Sequence, residues 1–175
     1  MKRALIITGK NVQDHEYIYP YYRLQEAGFS VEVATDGCQE VMGQLGAARV
    51  VPTVDINSLA SFEFQLLVLP GGAKCMEYLR QDRRVIDFIN NFHRSGKIIG
   101  SICHAAQLLI SARIVKGRRI AGYYSLRDDI ENAGAVYVDE PAVIDGNIIS
   151  TAHYKHLGPW MKAVCESVLH QQEKS

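Results

Sequence analysis

The chain has 175 residues, of which 47% are apolar and 22% charged, a composition typical of a soluble globular protein. Lysine plus arginine equal aspartate plus glutamate at 19 each, so the formal net charge is zero. This balance argues against nucleic acid or an acidic lipid surface as the main partner, because both attract a basic excess. No apolar run approaches the roughly 20 residues that span a membrane, and we expect a single domain over residues 1–175.

The N-terminal stretch and the cysteines predict a cytoplasmic protein. The sequence MKRALIITGKN begins with basic residues, but its apolar run is short and no small-residue cleavage site follows, so it predicts a first strand rather than a signal peptide. The four cysteines are widely spaced and form no CxxC pair, which predicts free thiols in a reducing compartment. They are Cys38, Cys75, Cys103 and Cys165.

The first half of the chain alternates predicted strands and helices. Short apolar or β-branched runs predict strands, and Asp14 and Gly28 are suited to begin and end a helix. The predicted elements are strands at 3–8, 30–35 and 65–70, a helix from 14 to about 27, and a short outlying strand at 49–54.

The second half continues this alternation and then adds a hairpin and a last helix. Asp82 can cap a helix that Gly96 ends, and the pair Asp145-Gly146 is a strong turn signal between two apolar runs. The predicted elements are helices at 82–93, 104–112, 125–133 and 157–171, a strand at 97–102 and a hairpin at 142–150.

Repeated strand–helix units with uniformly apolar strands predict an α/β fold, in which helices cover both faces of a mostly parallel sheet. Ligands bind to such sheets at the carboxyl ends of the strands. Three loops with reactive or flexible residues leave those ends, at 8–16, 70–77 and 101–105. We therefore expect the functional site where these loops meet.

Cys103 lies where a buried strand turns into a helix, within KIIGSICHAAQLLISA. A nucleophile on such a turn needs small neighbours, which Ser101 and Ala105 supply, and the positive end of the helix dipole favours a thiolate. The alternative is a buried structural cysteine, a common fate for this residue type. Cys75, in the loop GGAKCME, is the second candidate for a reactive thiol.

Backbone amides near Cys103 predict an oxyanion hole. The amide of His104 points into the same space as the thiol, and Gly71 and Gly72 follow a neighbouring strand with no side chain in the way. The sequence leaves open whether the imidazole of His104 faces the thiol or points away from it, because successive residues at the start of a helix do not face each other.

The residues around these positions resemble the DJ-1/PfpI superfamily, also called ThiJ/PfpI, and most closely its PfpI-like branch of intracellular proteases, amidases, glyoxalases and deglycases. The resemblance covers nearly the whole chain. It implies a flavodoxin-like three-layer sandwich with a nucleophile elbow, and a homodimer or larger homo-oligomer. The segments that carry it are ALIITGKNVQDHEYIYPYYRLQEAGFSVEVAT, LLVLPGGAKCMEYLR, GKIIGSICHAAQLLISA, DDIENAGAVYVDEPAVIDGNIIS and the last helix.

The resemblance also implies roles for individual residues. The family's nucleophile corresponds to Cys103 and the histidine after it to His104. The glutamate of an E-x-x-x-P pattern corresponds to Glu16, whose protonated carboxyl would hydrogen-bond the thiolate; without the resemblance, a glutamate in the first turn would merely favour the helix dipole. Amides near Gly72 and His104 would form the oxyanion hole, and Glu77 of a neighbouring subunit would complete a Cys-His-Glu triad.

The sequence departs from the family pattern at the mouth of the site. STAHYKHLGPW stands where the family has S-R-x-P-x-D-L, while ICHAA and YY replace ICHGP and Y-P. We therefore expect an altered substrate preference. The histidine spacing matches no zinc signature, so no metal is predicted. The predicted substrate-pocket residues are His15, Tyr123, His153 and His156.

The leading hypothesis is an enzyme that needs no cofactor and whose Cys103 thiolate attacks a small carbonyl compound, such as an α-oxoaldehyde or its adduct with an amine, or an amide or peptide bond. The alternative class is a redox sensor or chaperone-like stress protein, whose thiol is oxidised without turnover. A third hypothesis, motivated by STAHYKHLGPW, is a dedicated metabolic enzyme with an unfamiliar substrate.

Overall fold

A computed structural model describes residues 2–60 and 63–173, and its centre is a seven-stranded sheet. All neighbouring strands of this sheet run parallel except the last pair at one edge, which is antiparallel. In spatial order the strands are β10 (Val143–Asp145), β11 (Ile148–Thr151), β7 (Ile98–Ile102), β6 (Leu66–Leu69), β1 (Lys2–Ile7), β2 (Phe29–Thr35) and β5 (Val54–Asp55). Two small pairs are β3 (Val41–Met42) with β4 (Arg49–Val50), and β8 (Arg119–Ile120) with β9 (Val136–Tyr137).

Helices lie on both sides of the sheet, which confirms the predicted α/β class and three-layer architecture. The Nε1 of the buried Trp160 donates a hydrogen bond to the carbonyl oxygen of Ile149 at 3.0 Å, and this contact fixes the last helix on the sheet. None of the helices in the described residues has an apolar stretch long enough to cross a lipid bilayer. The helices are α1 (Asp14–Glu26), α2 (Ala73–Leu79), α3 (Arg83–Arg94), α4 (Ala106–Ser111), α5 (Arg127–Asn132) and α6 (Leu157–Glu173).

The uniformly apolar runs form the buried middle of the sheet. Every residue of β6 and β7 is buried, as their lack of alternation predicts for strands that are covered on both faces. The hairpin of β10 and β11 also forms, with Asp145 opposite Ile148 and a φ of 58° at Gly146. The outlying strand predicted at 49–54 is instead divided between β4 and β5, which lie in different sheets.

Two other predictions about local structure are wrong. The segment after Gly72 is a helix, α2, rather than a flexible loop. Helix α1 is capped by Gln13 and not by Asp14, because the side chain of Gln13 accepts a hydrogen bond from the amide of Glu16 at 3.2 Å.

Asp14 instead holds a neighbouring loop. Its carboxylate is buried and accepts hydrogen bonds from the amides of Leu45 (2.8 Å), Ala47 (2.8 Å) and Ala48 (2.7 Å). Burial raises the pKa of Asp14, but these three hydrogen bonds outweigh it, so the net pKa lies below the usual value. The loop that Asp14 orders carries Gln44, which lines the site described below.

The strand order places three loops at one edge of the sheet. The chain leaves β1 toward β2 on one side, and later returns through β6 and β7 on the other side. Such a reversal opens a crevice between the two neighbouring loops at the carboxyl ends of the strands. The loops that follow β1, β6 and β7 therefore meet, as the sequence predicts.

Candidate active site

Cys103 lies on a sharp turn between β7 and α4. Ile102 still has extended backbone angles, whereas Cys103 has a φ of 60° and begins a single 3₁₀ turn. A residue with a side chain is uncommon in this left-handed region, and holding it there costs about 1–3 kcal/mol. Ser101 and Ala105, on either side, are small and fully buried. The turn is the predicted nucleophile elbow.

The imidazole of His104 faces the thiol. Its Nδ1 lies 3.2 Å from the sulfur of Cys103, and its ring stacks on Tyr123 with 4.6 Å between ring centroids. Regular helix geometry would point the two side chains apart, and the left-handed Cys103 backbone removes that restriction. Burial lowers the pKa of His104, so its ring is neutral near pH 7.

Glu16 lies beneath the thiol with no exposed surface. Its Oε2 accepts a hydrogen bond from the amide of Gly71 at 2.7 Å, while its Oε1 is buried without a hydrogen-bond partner in the described part of the chain. Burial raises the pKa of Glu16 from 4.5 to about 7, although the contacts with Gly71 and Cys103 act in the opposite direction. The carboxyl group can therefore keep its proton near neutral pH.

The thiol and the carboxyl group compete for one negative charge. Burial raises the pKa of Cys103, and the nearby charge of Glu16 raises it further. The amides of His104 and Gly72 oppose this rise because they donate hydrogen bonds toward the sulfur. Two anions side by side in a buried site are strongly disfavoured, so the pair holds no more than one negative charge near neutral pH.

The two glycines after β6 have different functions. The N–H of Gly71 is already donated to Glu16, so the prediction that Gly71 belongs to the oxyanion hole is wrong. A Cβ at this position would lie 2.9 Å from the Cβ of Cys103, which explains why the site needs glycine here. Gly72, with a φ of 105°, directs its amide toward the sulfur together with His104.

A cavity of about 230 Å³ opens above the sulfur. This volume is below the roughly 300–1,000 Å³ of pockets that hold drug-sized ligands, so the cavity fits a small molecule or a single side chain. The residues that line it are Gln13, Glu16, Gln44, Gly72, Ala73, Cys103, His104, Tyr123, His153 and Tyr154.

Two of the four predicted substrate residues, Tyr123 and His153, line this cavity. His15 is exposed, stacks on Tyr154 with 4.9 Å between ring centroids, and is not among the residues that line the cavity. The sequence predicted His156 as a substrate-pocket residue. In the structure it lies in the short turn after β11 and is not among the residues that line the cavity. Its amide donates a hydrogen bond to the carbonyl of His153 at 3.0 Å.

Glu77 lies outside the cavity of its own chain. It lies exposed on α2, where its Oε2 forms an ion pair with Lys74 at 2.9 Å. Glu77 is not a lining residue of the site, and its action on a neighbouring subunit stays a prediction.

The other thiols have no comparable surroundings. Cys75 is buried rather than exposed, 3.9 Å from the hydroxyl of Thr8, and burial raises its pKa to about 12. Cys165 is buried as well, and Cys38 is exposed outside the site. Within residues 2–60 and 63–173, no group of three or more His, Cys, Asp or Glu side chains is placed to hold a metal ion.

Sequence reasoning missed several lining residues. Gln13 lies three residues before Glu16 in the sequence, and this closeness to the predicted acid could have indicated that it lines the cavity. In the structure, Nε2 of Gln13 lies 3.1 Å from Nδ1 of His15. Gln44 comes from a loop with no sequence pattern of its own. Tyr154 lies inside STAHYKHLGPW but was not singled out.

Comparisons with known proteins identify the family of this chain. The model of the DJ-1/PfpI family matches residues 2–167. Deglycase PfpI from Pyrococcus furiosus is 35% identical over 91% of this chain and 95% of its own length. General stress protein 18 from Bacillus subtilis is 35% identical over 82% of this chain and 83% of its own. The structure also matches an Anabaena variabilis protein with DJ-1/ThiJ/PfpI-like and ferritin-like domains (TM-score 0.93, 28% identity), covering 96% of this chain and 48% of that one. The chain therefore belongs to the DJ-1/PfpI family.

Proposed function

We propose that this protein is an enzyme whose Cys103 thiolate attacks a small carbonyl compound or an amide. The observation that carries the proposal is the contact of 3.2 Å between the Cys103 sulfur and Nδ1 of His104 within a small cavity. A nucleophile needs a neighbouring group that moves protons, and an oxidation sensor does not. The deglycase name of a relative that is 35% identical supports the same class of chemistry.

In this proposal the single charge of the buried pair resides on sulfur. Glu16 keeps its proton and donates a hydrogen bond through Oε1, the oxygen that lacks another partner. The amides of Gly72 and His104 supply two further hydrogen bonds, and these stabilise the thiolate. The carboxyl group has no such set of donors, because among residues 2–60 and 63–173 it accepts a hydrogen bond from one backbone amide, that of Gly71.

The chemical step then follows from the geometry. The sulfur forms a bond to the carbonyl carbon, and the electron pair of the C=O bond moves to oxygen, which gives a hemithioacetal from an aldehyde or a tetrahedral adduct from an amide. The backbone amides of Gly72 and His104, which contact the thiolate before attack, are placed to stabilise the negative charge on the substrate oxygen afterwards. His104, neutral near pH 7, takes or returns the proton. With an amide, the adduct expels an amine that takes a proton from His104, and water then hydrolyses the remaining thioester to a carboxylic acid and free Cys103. With an α-oxoaldehyde, proton transfer converts the hemithioacetal into the thioester of a 2-hydroxy acid, and water again breaks the C–S bond.

A redox or stress function is the second candidate. It is favoured by the similarity to general stress protein 18 and by the easily oxidised thiolate that Cys103 and Glu16 would form together. The orientation of His104 toward the sulfur favours turnover instead, since a sensor does not require it.

Turnover assays of matched variants separate the two functions. We expect the wild-type protein to consume methylglyoxal or cleave a fluorogenic peptide, Cys103→Ser to lose this activity, and Cys38→Ser to retain it. Activity that survives in Cys103→Ser would remove the proposal. Absence of activity in both proteins, with fast oxidation of Cys103 by dilute peroxide, would support the sensor.

The location of the charge can be tested directly. In a Cys38→Ser background, iodoacetamide should alkylate Cys103 readily at neutral pH, because the proposal puts the single charge of the pair on sulfur. If alkylation begins only well above pH 8, the charge resides on Glu16 and the thiolate mechanism is wrong.

We also propose a cytoplasmic homo-oligomer in which Glu77 approaches the site of a neighbouring subunit. Light scattering should give at least a dimer, and Glu77→Gln should lower turnover without altering the assembly. A monomer with full activity would exclude this role.

A further inference from the structure

A column of rings runs from the thiol to the protein surface. Ring centroids are 4.6 Å apart for His104 and Tyr123, 6.3 Å for Tyr123 and His153, and 4.0 Å for His153 and Tyr154. His15 follows Tyr154 at 4.9 Å, and the angles between successive rings do not exceed 40°. We call the three members beyond His104 that line the cavity, Tyr123, His153 and Tyr154, the ring wall.

The ring wall and its surroundings offer no cationic side chain to a ligand in the cavity. Among the described residues that line the cavity there is no lysine or arginine. Burial lowers the pKa of His153, and the charges of Lys155 and His156 lower it further, so its imidazole is neutral. Lys155 itself is exposed, with its Nζ 5.3 Å from the centroid of Tyr124. The cavity therefore has no cation to pair with a carboxylate or phosphate.

The position of the ring wall makes it part of the substrate site. Tyr123 contacts the imidazole that faces the sulfur, so the wall begins beside the reacting atoms. The widest separation in the column, 6.3 Å, lies between Tyr123 and His153, both of which line the cavity. The rings of the wall already stack on one another, so a substrate ring in the cavity meets their edges as well as their faces. Aromatic pairs are favourable in both edge-to-face and offset-stacked arrangements, and the gain exceeds that of apolar burial alone.

We infer that the ring wall selects substrates whose reactive carbonyl group carries an uncharged aryl or heteroaryl ring. The inference rests on the proposed function, because it concerns the substrate of the same Cys103 site. His153 and Tyr154 are specificity residues in this scheme, since they bind the ring and leave the sulfur chemistry to Cys103. One stacked ring pair changes affinity by about two- to tenfold.

A binding assay tests the inference without turnover. Primary amides are used to protect Cys103 from iodoacetamide in the Cys38→Ser protein, with benzamide, cyclohexanecarboxamide and acetamide as probes, over times at which no ammonia is released from them. We expect benzamide to protect at concentrations about five- to tenfold lower than the other two. Equal protection by benzamide and cyclohexanecarboxamide would overturn the inference, because a merely apolar cavity does not distinguish a flat ring from a puckered one.

Variants identify the residues that are responsible. His153→Leu and Tyr154→Leu remove a ring and keep apolar volume, so both should abolish the advantage of benzamide, while Tyr154→Phe should keep it. Tyr78→Leu, on the exposed surface of α2, is the matched control. Trp160 fluorescence confirms that each variant is folded. An unchanged benzamide advantage in both leucine variants would contradict the assignment.

A kinetic comparison separates this inference from the proposed function. The ratio of kcat/KM for phenylglyoxal to that for methylglyoxal should fall about fivefold or more in the two leucine variants. Selective protection by benzamide without turnover of either aldehyde would refute the proposed reaction and leave the ring site standing. Turnover of both aldehydes with a ratio that the variants do not change would refute the ring site and leave the reaction standing.

Discussion

Replacement of Glu16 by glutamine should change how the stability of the protein depends on pH. Burial raises the pKa of Glu16 from 4.5 to about 7 in the folded chain, whereas the unfolded chain keeps the ordinary value. This difference corresponds to about 3 kcal/mol. This free-energy difference belongs to the pair of Cys103 and Glu16 rather than to one residue. The folded pair releases its first proton near pH 7, whichever of the two groups loses it.

The direction of the effect follows from linkage. A group with a raised pKa in the folded state contributes stability that is fully present below about pH 4.5 and is lost as the pH rises through 7. From pH 5 to pH 8.5 the free energy of unfolding of the wild type should therefore fall by about 2.5 kcal/mol more than that of Glu16→Gln. Urea denaturation under reducing conditions measures this, and the single tryptophan, Trp160, reports unfolding because it is fully buried.

Glu26→Gln is the matched control, because Glu26 is an exposed glutamate at the end of the same helix. Its pH dependence should parallel that of the wild type. If Glu16→Gln also parallels the wild type within about 0.5 kcal/mol, the carboxyl group ionises as it would in water, and the account of the buried pair is wrong.

Three further substitutions test single contacts. Asp14→Asn should lower the free energy of unfolding by about 1–3 kcal/mol at pH 7, because an amide nitrogen would face a backbone donor; unchanged urea denaturation would contradict this. Gly71→Ala places a Cβ against Cys103 and should slow the alkylation of Cys103 about tenfold or more. An unaltered rate would contradict this prediction, because it would show that the turn at Cys103 shifts to make room for the methyl group. Trp160→Phe removes the indole donor from the carbonyl of Ile149, and denaturation followed by circular dichroism should show a loss of about 1–3 kcal/mol in the free energy of unfolding. A loss below about 0.5 kcal/mol would show that this hydrogen bond contributes little.

The fold could be predicted from sequence because its strong signals are local. Uniformly apolar runs identify buried parallel strands, and glycines after helices mark their ends. The elbow was predictable for the same reason, since Ser101 and Ala105 flank Cys103 within five residues of sequence. The orientation of His104 was not, because it depends on the backbone angle of Cys103.

Errors in the predicted site arise from competition between partners. Gly71 offered an amide to an oxyanion hole, but a buried carboxyl 55 positions earlier in the chain accepts it instead. Asp14 was suited to cap a helix, yet three amides of a distant loop bind it more completely than one helix amide could. In both cases the residue's chemistry was identified correctly, and tertiary contacts decided which partner it bound.

The chemistry and the selectivity that we propose for this site have separate structural origins. The thiol, the acid and the amide donors follow β1, β6 and β7, where the reversal of strand order fixes their relative positions. His153 and Tyr154 belong to the turn after β11, a surface segment of the kind that tolerates change. Tyr123, the first residue of the ring wall, connects the two parts, because its ring lies between the imidazole of His104 and the ring of His153. A change in substrate therefore requires no change in the elbow, which is consistent with a family-like elbow beside an unusual STAHYKHLGPW segment.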